Sequence, residues 1–207
     1  GTPAFSSTEI AAGLKEALRI GTQNGTGKLA SADGFFTNAA VKILMPEEAK
    51  KVESTLRNIG LGSLVDKAVL SMNRAAEDAA KSATPIFVEA IKAMTISDAL
   101  GILKGGDYAA TNYFKDKTTV SLANAFRPVI EKALTKVNAT KYWNDVFTAY
   151  NKFAAKPVNT DLVTYVTEKS LTGIFYEVGQ EELKIRKDPA ASVTDLLKKV
   201  FGSNTQQ

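Results

Sequence analysis

Cysteine and histidine are both absent from the 207 residues of this chain. Their absence excludes disulfides, thiolate nucleophiles, zinc sites with Cys or His ligands and haem held by a histidine. It also excludes the Ser-His-Asp triad and any histidine acting as a general base. Catalysis is left to carboxylate, Lys, Tyr, Ser and Thr groups, so the sequence favours a non-enzymatic protein and predicts no cofactor.

Long apolar runs and arginine are also scarce. No run approaches the ~18 apolar residues of a membrane-spanning helix, so we expect no transmembrane segment. The net charge is +4, but 21 of the 26 basic residues are Lys and only five are Arg. Because phosphate and base recognition favours Arg, we interpret the charge as a solvated surface and expect no nucleic-acid partner. The first residue is Gly1 rather than Met, and we expect that a signal peptide has been removed.

Apolar residues recur at helical spacing along almost the whole chain. The clearest faces hold these sets: Ile10, Leu14 and Leu18; Ala49, Val52, Leu56 and Ile59; Val65, Val69, Met72 and Ala76; Trp143, Phe147 and Tyr150; Val193, Leu196, Leu197 and Val200. We therefore predict an all-α fold, a single orthogonal bundle of about nine or ten helices over residues 1–207. A subdivision near 155–160, at a linker that contains a proline, is the alternative. Residues 203–207 are expected to form a disordered tail.

Capping residues and helix breakers predict several helix boundaries. Gly60 suits the position after a helix end, and Ser97 suits the cap of a later helix. Asp107 is predicted to cap the helix that follows a Gly-Gly break, and this helix is expected to end near Lys117. An anion site at the same break is the less favoured alternative, because an Asp cap would repel an anion. Pro128 is expected to kink the helix that contains it.

The segment from Leu29 to Met45 interrupts the helical pattern. It contains Asp33, an aromatic pair at Phe35 and Phe36, and an extended-looking stretch before a proline. A single strand cannot make a sheet, and loops this long in compact domains are typically functional or are packed Ω-loops. We predict one long irregular loop here, whose aromatic side chains either seal the core or form a docking patch.

The stretch from Thr22 to Leu29 has glycines that resemble those of a phosphate-binding loop, but at the wrong spacing. Gly27 and Lys28 are in place, whereas the first glycine is one position off and Leu29 replaces the hydroxyl that binds the metal. No predicted strand precedes this stretch. We interpret the glycines as a frayed helix rather than as a nucleotide site.

A small group of polar and aromatic residues makes up the candidate ligand-binding site. Its members are Asn73, Arg74, Glu77, Asp107, Phe35 and Phe36. The first three interrupt an alanine-rich helix and would face a cleft if they act together. The alternative is an ordinary surface pair, because Arg74 and Glu77 are three residues apart and can meet across one helical turn. No catalytic residue is assigned.

Glu177 and Glu181 are the weak candidates for a metal site. They lie four residues apart on a predicted long helix and could present two oxygens to one hard cation. A ferritin-like di-metal site would also need a Glu-x-x-His motif, and the chain has no histidine. We therefore favour a surface charge network with the nearby Lys184 and expect no metal.

Several short stretches, taken together, resemble one protein family. They are GLKEAL at 13–18, DGFF at 33–36, RNIGLG at 57–62, MNRAAE at 72–77, PIFV at 85–88, ILKGGD at 102–107, AAT at 109–111, YVTEK at 165–169, IRKDPAA at 185–191 and DLLKKVFG at 195–202. The family is domain-of-unknown-function family 4197, found in bacterial proteins, and the resemblance runs from about Ile10 to Gly202. Family members resemble exported proteins, which implies a periplasmic or envelope location here. The family carries no established activity, so the resemblance assigns no catalytic residue.

Three functions stay open from the sequence. The first is a non-enzymatic periplasmic or envelope protein that binds or scaffolds a partner. The second is a carboxylate-based hydrolase, with or without a hard cation, which requires the candidate polar and acidic residues to converge on one pocket. The third is a carrier of a small apolar ligand between helices. The partner would be an unknown protein or a small ligand, and the chain itself a monomer or a weak homodimer.

Overall fold

A computed structural model describes residues 5–152 and 154–187 of the chain. Over these residues the backbone forms eight α-helices and one short 3-10 helix, with no strand, so the predicted all-α class is confirmed. The helices are α1 (Ser7–Ala30), α2 (Lys50–Asn58), α3 (Gly62–Ala80), α4 (Ala83–Ala93), α5 (Ile96–Lys104), α6 (Ala109–Lys136), α7 (Ala139–Asn151) and α8 (Leu162–Lys187), and the 3-10 helix is Glu47–Ala49. The last helix predicted from the sequence, at 193–201, and the predicted tail lie outside the described residues.

The chain forms two compact units, and each is assembled from stretches that are distant in sequence. The first comprises Gly1–Lys28, Ser82–Leu122 and Ile174–Gln207, and the second comprises Leu29–Lys81 and Ala123–Gly173. The linker predicted near 155–160 falls within the second unit. There Val158 is buried, and its backbone N–H and C=O both bond the side-chain amide of Asn151 at 2.7 Å.

The first helix continues through the glycines at which fraying was expected, and it ends only at Ala30. A Cβ atom at Gly21 would lie 3.2 Å from Ile185 Cδ1, and one at Gly25 would lie 3.4 Å from the backbone of Glu177. The two glycines therefore let α1 pack closely against α8 within the first unit. The interpretation of this stretch as a frayed helix was wrong because tertiary packing outweighs the low helix propensity of glycine.

The N-cap of helix α5 lies two residues before the cap predicted for it. Its N-cap is Thr95 rather than Ser97, because Thr95 and Asp98 form a capping box in which each side chain accepts the other residue's backbone N–H. The N–H of Thr95 holds the pKa of Asp98 below its usual range. The Gly60 prediction is confirmed: this residue follows α2 with a φ of +84°, a conformation that favours glycine.

Helix α6 is one helix of 28 residues, so the end predicted near Lys117 was wrong. A single seam of buried apolar side chains, spaced four or eight residues apart, runs along it: Phe114, Leu122, Phe126, Ile130 and Leu134. Thr118 fills the gap in this seam by donating its hydroxyl hydrogen to the carbonyl oxygen of Phe114 at 2.6 Å. The helix also continues past Pro128, and the kink expected there stays a prediction.

Each unit has its own aromatic core. In the first unit, Phe87 makes edge-to-face contacts with Phe114 and Phe175, with ring centroids 5.2 and 6.2 Å apart. In the second unit, Trp143 lies against Phe147 at 4.5 Å and donates its ring N–H to the carbonyl of Asn159 at 3.0 Å. Trp143 is therefore a core residue whose one polar group is satisfied.

The close contact between Gly173 of α8 and Phe35 gives the first testable prediction. A Cβ at Gly173 would lie 2.6 Å from Phe35 Cε1, and the Phe35 ring is fully buried, so it has no free space into which to move. We expect Gly173→Ala to lower the free energy of unfolding by about 1–3 kcal/mol, measured by urea denaturation.

Gly101→Ala is the matched control for this change. Gly101 also lies inside a helix, α5, but a Cβ there would meet nothing within 4 Å. The free energy of unfolding of this variant should rise by about 0.5–1 kcal/mol, because alanine has a higher helix propensity than glycine. An equal effect of the two substitutions would contradict the packing described here.

Candidate functional site

The irregular segment at residues 31–46, here called the strap, connects α1 to the 3-10 helix within the second unit. Its backbone forms successive turns, with Gly34 N–H bonded to Ser31 O at 2.9 Å and Lys42 N–H bonded to Asn38 O at 2.8 Å. Asp33 lies in the left-handed region at a φ of 65°. These turns leave several buried or partly buried backbone donors of the strap without a backbone acceptor, and such donors need side-chain partners.

Glu77 of α3 supplies the acceptor for three of these donors. Its carboxylate accepts the backbone N–H groups of Asp33, Phe35 and Phe36 at 3.2, 3.1 and 2.9 Å. Glu77 is only 5% exposed, so these bonds replace the water that a carboxylate would otherwise bind. Its two oxygens therefore fasten the strap to α3.

Arg74 completes this attachment from one helical turn away. Its guanidinium donates to Glu77 Oε1 at 2.6 Å and to Asp33 Oδ1 at 2.8 Å. The pairing of Arg74 with Glu77 that the sequence predicts is confirmed. The pair differs from an ordinary surface pair because the carboxylate is buried and its charge is also stabilised by backbone dipoles.

Asn73, adjacent to Arg74 in α3, holds the far end of the strap. Its side-chain oxygen accepts the N–H of Ile43 at 2.8 Å, and its side-chain nitrogen donates to the carbonyl of Ile43 at 2.9 Å. The second side-chain hydrogen goes to Val69 O at 2.7 Å, so this fully buried amide is satisfied. Asn73 thus pairs with an extended residue much as a neighbouring strand would.

The two phenylalanines of the strap have different surroundings. Phe35 is fully buried and seals the core of the second unit against Gly173 and Val41. Phe36 is half-buried and lies between two cations, with Lys42 Nζ 4.5 Å and Arg74 Cζ 5.4 Å from its ring centroid. The strap therefore places one aromatic in the core and covers the other with charge.

Tyr165 of α8 makes a further contact with the strap. Its hydroxyl donates to the carbonyl of Leu44 at 2.5 Å. Burial raises the pKa of Tyr165 to about 12, and the nearby Glu48 adds to the shift. Because the folded-state pKa exceeds the usual value near 10, the neutral phenol stabilises the fold. This contribution is complete below about pH 10 and is lost as the pH rises through about 12.

A second buried glutamate, Glu182 of α8, lies in the first unit. Its carboxylate accepts the backbone N–H groups of Ala110 and Thr111, each at 2.8 Å, and the hydroxyl of Thr111 at 2.7 Å. These are the free donors at the start of α6. The prediction that Asp107 caps α6 was therefore wrong: Asp107 is exposed, and a carboxylate from another helix takes these amides.

Arg186 links this cap to the end of α5 in the same unit. Its guanidinium pairs with Glu182 at 2.8 Å and donates to the carbonyls of Ile102 and Leu103 at 2.8 and 3.3 Å. The two residues thus provide hydrogen-bond partners for the last carbonyls of α5 and the first amides of α6. The sequence did not lead us to predict the role of either residue, although a Glu and an Arg four residues apart at a helix break were visible signals.

The weak metal candidates of the sequence have lysine partners in the first unit. Glu177 is buried, rather than on the surface as expected, and pairs with Lys28 at 3.5 Å. Glu181 pairs with Lys184 at 3.4 Å. Over the described residues, no three acidic side chains are grouped so as to hold a metal ion.

A small cleft in the first unit bears on the ligand-carrier hypothesis. Its volume of about 10 Å³ is enough for roughly one water molecule. An apolar ligand would not fit in it without displacing helices. Its lining residues are Leu18, Gly21, Thr22, Ala110, Val178, Glu181, Glu182 and Ile185.

An exposed apolar surface lies at the end of the α2–α3 hairpin in the second unit. Its three side chains, here called the hairpin tip, are Ile59, Leu61 and Leu64, exposed by 64%, 40% and 53%. The sequence predicts a core face for α2, but no residue of α2 is buried, and Ala49 just before it is the buried member of that face. The prediction was wrong because periodicity identifies an apolar face without showing what covers it.

Comparisons with known proteins identify one family. A family model described as "Protein of unknown function (DUF4197)" matches residues 4–202. No curated protein and no solved structure matches the chain. Over the described residues, no helix is long and apolar enough to cross a membrane.

Replacing the buried carboxylate tests whether Glu77 holds the strap. Glu77→Gln keeps one acceptor oxygen, but it places an NH₂ donor among backbone donors and removes the charge that Arg74 binds. We expect a loss of about 3 kcal/mol in the free energy of unfolding, measured with urea.

Asp78→Asn is the control, because Asp78 is the next residue along α3, is exposed and pairs with Lys81 at 3.2 Å. Its loss should stay within about 0.5 kcal/mol. If Glu77→Gln is as mild as this control, the carboxylate does not fasten the strap.

Proposed function

The chain belongs to the DUF4197 family of proteins of unknown function, and on that premise we propose that it is a non-enzymatic binding or scaffolding protein of the bacterial envelope. Its working surface is the hairpin tip in the second unit. The observation that carries this proposal is that three large aliphatic side chains are exposed together within six residues, on a hairpin whose helix α3 is firmly held. A cluster of exposed aliphatic side chains offers apolar area that a partner could cover, which makes it a candidate interaction surface.

The hydrogen bonds of the two buried carboxylates favour a binding protein over a carboxylate-based hydrolase. A hydrolase needs a carboxyl group whose oxygens are free to exchange protons with a substrate. The oxygens of Glu77 and Glu182 instead accept backbone N–H groups, and each is also bound by an arginine. These groups act as fixed structural acceptors, which leaves them poorly suited to proton transfer.

The anchoring of α3 supports the role of the hairpin tip. Asn73 and Glu77 fasten α3 to the strap at two points one turn apart. A surface on a rigid element loses little conformational entropy when it binds, so more of the contact free energy appears as affinity. The Arg57–Asp66 ion pair at 2.9 Å adds a link between α2 and α3 close to the hairpin tip.

The envelope location in this proposal rests on the family, because members of the family resemble exported proteins. A site in the envelope would place the hairpin tip among membrane and cell-wall partners. The complete lack of cysteine is compatible with such an oxidising compartment.

Photo-crosslinking in the bacterium that makes the protein tests the proposal. A crosslinking amino acid at Leu61 should form specific adducts, because this side chain belongs to the hairpin tip and would touch the partner. The same group at Val120, an aliphatic residue of α6 that is 72% exposed, is the control and should give only background. Adducts are detected by gel mobility and by mass spectrometry, which covers protein and lipid partners alike. Absent adducts at Leu61, or equal yields at both positions, would contradict the proposed binding role.

A further inference from the structure

We propose that the hairpin tip docks on an anionic lipid surface by shallow insertion of Ile59, Leu61 and Leu64. This inference deepens the proposed function and rests on it, because both use the same surface. The hairpin tip is convex: α2 ends at Asn58, Gly60 turns the chain at a φ of +84°, and α3 starts at Gly62. A convex apolar turn suits insertion into a partner rather than reception of a ligand.

The three residues of the hairpin tip have satisfied backbone donors, whereas the first amides of α3, at Gly62 and Ser63, receive no side-chain cap. The N–H groups of Ile59, Gly60, Leu61 and Leu64 all bond carbonyls inside the hairpin, at 2.8 to 3.2 Å. Lipid tails offer no partner for a free backbone donor, so the satisfied donors of Ile59, Leu61 and Leu64 lower the cost of shallow insertion. In addition, residues 59–65 carry no charged side chain.

The charges flanking the hairpin tip favour an anionic surface. Residues 50–70 carry four basic and two acidic side chains, and two further acids, Glu47 and Glu48, precede them, of which Glu47 pairs with Lys50 at 3.9 Å. Both acids within residues 50–70 are occupied, because Glu53 and Asp66 bind Arg57 at 3.4 and 2.9 Å. Within the described contacts, the exposed Lys51 and Lys67 have no ion-pair partner. They are therefore available to attract anionic headgroups.

The size of the hairpin tip argues against a second copy of this chain as the occupant. Its three side chains expose at most a few hundred Å², whereas a stable dimer buries about 800 Å² on each partner. A lipid surface sets no such threshold, because partitioning grows with each apolar group that enters. A groove on another protein is the remaining alternative, and vesicle binding distinguishes it from a lipid surface.

The test uses vesicles and exploits the lack of cysteine, which allows a single labelled site. Leu61→Cys, labelled with an environment-sensitive fluorophore, is mixed with vesicles of phosphatidylglycerol and phosphatidylcholine. We expect a blue-shifted, brighter emission with these vesicles and little change with phosphatidylcholine alone. Val120→Cys with the same label is the matched control and should not respond. Equal responses at both positions, or none at Leu61, would overturn the inference.

Flotation of unlabelled protein with the same vesicles gives a second readout. The triple variant Ile59→Ser/Leu61→Ser/Leu64→Ser should lose at least about tenfold in vesicle binding. It should also keep its helical circular dichroism, because all three side chains are exposed. Lys51→Gln/Lys67→Gln should weaken binding mainly at low salt. Vesicle binding that survives the triple variant would contradict insertion.

The outcomes separate this inference from the proposed function. Protein adducts at Leu61 in cells, combined with no vesicle response, would show a protein groove as the occupant and would overturn the lipid inference alone. Absent adducts of any kind at Leu61 would overturn the binding function itself.

Discussion

The carboxylate of Glu77 is the contact on which the second unit depends. A strap of irregular backbone must bury its N–H groups to bring Phe35 into the core, and each buried donor without an acceptor would cost about 1–3 kcal/mol. One glutamate on α3 receives three of these donors, and Arg74 compensates its charge. This group positions the strap that carries the core aromatic, and Asn73 adds a second point of attachment between the strap and α3.

In the first unit, a glutamate and an arginine also bind backbone groups that would otherwise lack hydrogen-bond partners. There the unsatisfied groups are the carbonyls at the end of α5 and the amides at the start of α6. Arg186 takes the carbonyls, Glu182 takes the amides, and the two side chains bind each other. In both units a buried glutamate and an arginine connect distant pieces of backbone. These buried polar residues therefore have a structural role in each unit.

Local signals predicted much of the fold. Apolar periodicity predicted the buried face of α3, and Gly60 marked the end of α2, because each depends on residues within a few turns. The cap of α6 could not be predicted in this way, since Glu182 lies 71 residues after Thr111 in sequence. Nor could the sequence show that the apolar face of α2 is only partly covered, because burial depends on distant elements.

The sequence predicted which residues belong to the candidate site, but it did not predict which of them are in contact. Asn73, Arg74 and Glu77 were singled out as an interruption in an alanine-rich helix, and the strap was singled out as a break in periodicity. Their connection to each other, across 30 to 44 residues, appears only in three dimensions. The hairpin tip was missed because its leucines and isoleucine have the same pattern as a core face.

Amide hydrogen exchange at Phe36 tests the central role of Glu77 most directly. Phe36 lies in a turn outside any helix, and its N–H donates to Glu77 at 2.9 Å. If the carboxylate holds the strap, this amide should exchange as slowly as those in the middle of α3, through global unfolding. Exchange at the rate of exposed loop amides would show that the carboxylate of Glu77 does not hold the strap.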